Sequence, residues 1–64
     1  MKSDLYLVLV LDNNETYREF RNAKSKLAAI NSVRNTYKKN NDKRCLCTMS
    51  AYLVKERNLL NGLD

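Results

Sequence analysis

Seven consecutive apolar residues, Leu5-Tyr6-Leu7-Val8-Leu9-Val10-Leu11, stand between Asp4 and Asp12. A strand with one wet face alternates apolar and polar residues, whereas an unbroken apolar run of this length reads as a strand covered on both faces. In a chain of 64 residues, one helix covers one face and something else must cover the other. A second copy of the chain is the simplest cover, although a second helix of the same chain would also serve. Leu5, Leu7, Leu9 and Leu11, joined by Leu46 and Tyr52, are therefore the expected dimer or partner interface. Size argues the same way. A domain near 60 residues buries only about 60% of its unfolded surface, and oligomerisation is a common remedy.

The same run is too short for a bilayer span, which takes about 20 apolar residues. It follows an acid and ends in Asp12-Asn13-Asn14-Glu15 with no small-residue cleavage site, so it does not read as a secretion signal. The expectation is a soluble cytoplasmic protein with no membrane partner, in the host cytoplasm if the source is viral.

Asp12 followed three residues later by Glu15 matches the acidic form of a capping box, with Asn13 and Asn14 as alternative caps. No Pro or Gly intervenes before Lys39, and Tyr17, Phe20, Ala23, Leu27, Ile30, Val33 and Tyr37 recur at three- and four-residue spacing. That pattern predicts a long amphipathic helix over about 13–39. Its opposite face would carry Arg18, Arg21, Ser25, Ala29, Ser32 and Thr36. Asn40-Asn41-Asp42 reads as a turn. A second strand is expected over about 44–54, with Cys45, Cys47 and Met49 on one face and Leu46, Thr48 and Ser50 on the other. A short helical or irregular C-terminal tail would follow. The predicted fold is α+β: a small β-α-β unit in a single domain over 1–64 that completes its sheet or core as a homodimer.

Composition narrows the function. The chain has no His and a single glycine, Gly62. That leaves it without the commonest general base and without the glycines of a P-loop or dinucleotide fingerprint. Asp12, Glu15 and the other acids are explained by capping, strand ends and pairing with nearby cations. Cys45 and Cys47 are two thiols where a zinc site wants four ligands. They read as reduced core thiols, with pairing across a dimer interface as the other possibility. No enzyme, cofactor, metal or small-molecule substrate is expected.

Charge supplies the positive signal. The net charge is +5, and residues 18–44 hold nine cations against two acids, so the segment carries +7 and the remainder −2. Charge concentrated in this way is the footprint of a polyanion binder. The candidate nucleic-acid contacts are Arg18, Arg21, Lys24, Arg34, Lys38, Lys39, Lys43 and Arg44, with Tyr37 placed among them to stack on an unpaired base. The cations point in several directions, and no helix-turn-helix turn, RNP strand or GxxG loop is present. RNA or a ribonucleoprotein, gripped by its phosphates, is the expected partner, with the protein acting by occupancy as a regulator or inhibitor.

Compact, Lys/Asn-rich and Pro-free, the chain resembles in composition many small accessory and counter-defence proteins of bacteriophages. That resemblance covers no diagnostic residues, and it implies as an alternative an antitoxin-like antagonist of a nucleic-acid-handling host protein, such as a nuclease or toxin. A structural subunit of a larger assembly is the third reading.

Overall fold

The computed structural model describes residues 3–54. Strand β1 (Asp4–Asp12) is followed by β2 (Glu15–Ala23), helix α1 (Lys26–Lys39), a short 3-10 turn (Lys43–Leu46) and β3 (Thr48–Leu53). The strands form one sheet in the order β2-β1-β3, antiparallel at both seams. The class is α+β, but the order is β-β-α-β. The helix expected over 13–39 is in fact a strand and a shorter helix.

The hairpin begins where a helix cap was expected. Asp12 pairs with Glu15, so Asn13-Asn14 is a two-residue turn. Asn13 sits at φ 54, a left-handed conformation that Asn adopts more readily than most residues, and such turns match the twist of the strands they join. Residues 16–23 had satisfied helical spacing at Tyr17, Phe20 and Ala23, yet they also alternate. Tyr17, Glu19, Arg21 and Ala23 share one face, while Thr16, Arg18, Phe20 and Asn22 share the other. A β-branched residue and two aromatics within five positions favour the strand.

The helix starts at Ser25, whose hydroxyl accepts from the Ala28 N–H at 3.1 Å, a standard N-cap. It ends in a Schellman arrangement. The Asp42 N–H reaches the Tyr37 carbonyl at 2.8 Å and the Asn41 N–H reaches that of Lys38 at 3.1 Å. Asn41, at φ 56, takes the left-handed position usually given to glycine. The expected second strand also begins later, because residues 43–46 coil into the 3-10 turn capped by the Asp42 carboxylate. Residues 55–64 lie outside the described residues, and with them the expected tail.

The core lies between α1 and one face of the sheet. Tyr6, Val8 and Val10 of β1, with Ala23 and Ala51, pack against Ala29, Val33 and Tyr37 of the helix. Ala29, expected on the solvated face, is fully buried, whereas Leu27, expected in the buried stripe, is exposed. The buried positions step by four, from Ala29 to Val33 to Tyr37, so the inward stripe is rotated from the one read off the sequence. The Cα atoms occupy a slab 13 Å thick, the depth of one helix layered on one sheet.

Candidate functional site

Among the described residues, no helix or strand packs on the other face of the sheet. Successive rows across β2, β1 and β3 read Thr16-Leu11-Thr48, Arg18-Leu9-Ser50 and Phe20-Leu7-Tyr52, with Asn22 beside Leu5 at the end. Phe20 is 54% exposed and Tyr52 41%, while Leu7 between them is only 7% exposed. Five of the six expected interface residues, Leu5, Leu7, Leu9, Leu11 and Tyr52, share this face. Leu46 does not. It lies in the 3-10 turn and is 86% exposed, because the chain there coils instead of continuing β3. Phe20 belongs to the face and was missed: assigned to a helix, its place in the alternation Thr16, Arg18, Phe20, Asn22 went unread.

The cations divide into anchored and outward groups. Arg34 is anchored: its Nε donates to the Cys45 carbonyl at 2.9 Å and its Nη2 to the Cys47 carbonyl at 3.2 Å, tying the chain before β3 to the helix. Arg44 is anchored as well. Its guanidinium makes a fork of bonds to the Asp42 carboxylate and lies 4.6 Å from the centroids of both the Tyr17 and Tyr37 rings. Arg21 reaches Glu19 at 3.5 Å and the Phe20 carbonyl at 2.8 Å.

Tyr37 does not face outward as a stacking platform. It is 4% exposed because it continues the inward stripe of the helix, and its hydroxyl donates to Glu19 at 2.8 Å. Burial, reinforced by that carboxylate, pushes its pKa up to about 12. The bonds from Arg44 hold the Asp42 carboxyl below the usual range. Cys47 is raised, first by burial and then by nearby Asp12, which keeps its thiol protonated and unreactive. Neither thiol is in a disulfide.

Arg18, Lys24, Lys38, Lys39 and Lys43 of the expected site remain exposed, together with Lys26. Among the described residues none of the six is in an ion pair, since the two ion pairs there are Arg21–Glu19 and Arg44–Asp42. Lys38, Lys39 and Lys43 gather at the C-terminal end of α1. Lys38 and Lys43, with Leu46 and Cys45, line a shallow pocket of about 290 Å³ between the helix end and the 3-10 turn. Lys24 and Lys26 flank the other end of the helix, and Arg18 stands alone on the sheet face away from the helix. Lys26 was counted in the charge but left out of the site.

Among the described residues no three His, Cys, Asp or Glu side chains cluster as metal ligands, and no helix is long and apolar enough to cross a membrane. No family model, curated protein or solved structure matches the chain.

Proposed function

We propose that this chain is a small, non-enzymatic binding protein of the cytoplasm that works as a homodimer, contacts RNA or a ribonucleoprotein and acts by occupancy as a regulator or inhibitor. One observation carries this reading. The acids within the basic segment, Glu19 and Asp42, are held by Arg21, Tyr37 and Arg44, so they do not neutralise the lysines at the two ends of the helix. A contact made by lysines on separate elements suits the sugar–phosphate backbone, which needs positive charge rather than a reading face. Lys38, Lys39 and Lys43 form its densest part and are the residues on which affinity should depend.

A second reading is direct antagonism of a host nuclease or toxin, as phage accessory proteins do. It is supported by Leu46, an apolar side chain standing out beside Lys38 and Lys43, a pairing suited to an acidic protein surface with an apolar recess.

Capture from lysate with and without ribonuclease separates the two. RNA contact predicts partners lost on ribonuclease treatment, and loss of RNA binding when Lys38, Lys39 and Lys43 are all changed to Glu. If the five exposed lysines each neutralise one phosphate, log K falls against log salt with a slope of about −3.5 to −4.5. A flat salt dependence overturns the RNA reading. One protein retained after ribonuclease, and lost in Leu46→Asp, supports antagonism.

A further inference from the structure

We propose that the sheet face away from the helix is the contact between two copies of this chain, packed face to face about a two-fold axis that runs along β1. The inference supplies the surface and symmetry of the homodimer proposed above and is independent of the RNA reading.

The register makes this face self-complementary. Rotation about an axis along β1 lays β1 over β1 of the second copy and β2 over its β3. The leucines of β1 then meet leucines. Phe20 comes opposite Tyr52 of the second copy, and Arg18 comes opposite Ser50 of the second copy, in the rows these residues already share with Leu7 and Leu9. The two copies of Arg18 stand on opposite edges, about 10 Å apart across the strands and about 10 Å apart between the sheets, so the one charge that the described residues place on this face meets a hydroxyl and avoids its own kind. Paired sheets of this type stack about 10 Å apart with their strands within about 30° of each other.

Other cover fits less well. Edge-on pairing through β2 or β3 would extend the sheet but leave Leu5, Leu11, Phe20 and Tyr52 exposed. A polyanion would gain one cation, Arg18, and would desolvate its phosphates against leucine and phenylalanine. The area also bears on strength. From Leu5 to Leu11 the strand advances about 20 Å, and three strands span about 14 Å. A footprint of about 280 Å² is well below the roughly 800 Å² per partner of a standard interface, so the association expected is weak and concentration-dependent.

The test is sedimentation of the full chain from about 5 to 500 µM, the span that brackets micromolar association. The wild type should pass from monomer to dimer. Phe20→Lys and Leu11→Lys, both at exposed positions, should raise the dissociation constant at least about tenfold, equivalent to about 1.4 kcal/mol. Leu27→Lys and Leu46→Lys, which lie off this face, should leave it unchanged. A dilution series of the wild type followed by methyl NMR needs no variant: the Leu5, Leu7, Leu9 and Leu11 methyls should shift with concentration while those of Leu27 and Leu46 stay fixed. A chain monomeric throughout overturns both the dimer and this interface, whether residues 55–64 or a foreign protein covers the face instead. A dimer that persists in Phe20→Lys and Leu11→Lys overturns the interface alone. RNA affinity per chain should survive in both face variants, so failure here leaves the RNA reading standing.

Discussion

The guanidinium of Arg44 lies 4.6 Å from the centroid of the Tyr37 ring, and an equal distance from that of Tyr17 in β2. One cation from the 3-10 turn is thus held by a helix residue, a strand residue and the carboxylate of Asp42. Arginine suits this place because its flat group stacks on rings while forking to a carboxylate, which an ammonium does not do. Arg44→Ala should lower the urea midpoint of unfolding, with Arg44→Lys in between. At matched folded concentration either change should disturb RNA affinity less than the loss of Lys38, Lys39 and Lys43. Comparison of denaturation curves with binding isotherms checks this, and equal losses of affinity would contradict it.

Tyr37 gives the fold an alkaline limit. Its hydroxyl ionises near 10 when unfolded and at about 12 in the fold, chiefly because of burial and then because of the Glu19 hydrogen bond. A raised folded pKa means that the native state holds the proton more tightly. The stabilisation is complete below about pH 10 and is lost as pH climbs from there through about 12. Tyr17, raised chiefly by its hydrogen bond to Glu15, acts in the same direction. Melting followed from pH 8 to 12 should show a plateau and then a fall, and Tyr37→Phe should make the fall shallower.

Asn41 offers a direct test of the helix end. At φ 56 it occupies a left-handed site that glycine tolerates with less strain. Asn41→Gly should stabilise by up to about 1 kcal/mol, whereas Asn41→Val should destabilise by about 1 kcal/mol or more. Chemical denaturation measures both, and a destabilising glycine would argue against the Schellman arrangement.

Val33 lies at the centre of the helix–sheet contact, with no exposure. Val33→Ala removes two methyl-sized groups and leaves a void, a loss of about 2 kcal/mol. In a domain this small each kcal/mol moves the melting temperature by about 4–8 °C, so a drop on the order of 10 °C is expected in thermal unfolding.

Several features were legible in the sequence because one local rule governed them. The run at Leu5–Leu11 fixed β1 and its two-sided apolar character. Tyr6, Val8 and Val10 turn to the helix while the four leucines turn away. The stretch from Thr16 to Ala23 misled because Tyr17, Phe20 and Ala23 fit a helical period as well as a sheet's alternation. Only the register set by the Asn13-Asn14 turn and pairing to β1 decides between them. Leu27 and Ala29 exchanged their expected places because the first turn of the helix is set by the Ser25 cap, not by Asp12. Arg34 and Arg44 could be counted as charges from the sequence, but their engagement could not: the carbonyls of Cys45 and Cys47 and the ring of Tyr17 reach them only through tertiary folding.

The central position of β1 has a consequence for the order of events during synthesis. Its hairpin partner β2 follows at once, but β3 begins only at Thr48. At about 5–20 residues per second, the roughly 30 residues between the end of β2 and the end of β3 take about 1.5–6 s to make. Throughout that interval the nascent hairpin carries an unpaired edge beside a leucine-rich surface. Premature pairing with another chain therefore competes with closure of the sheet.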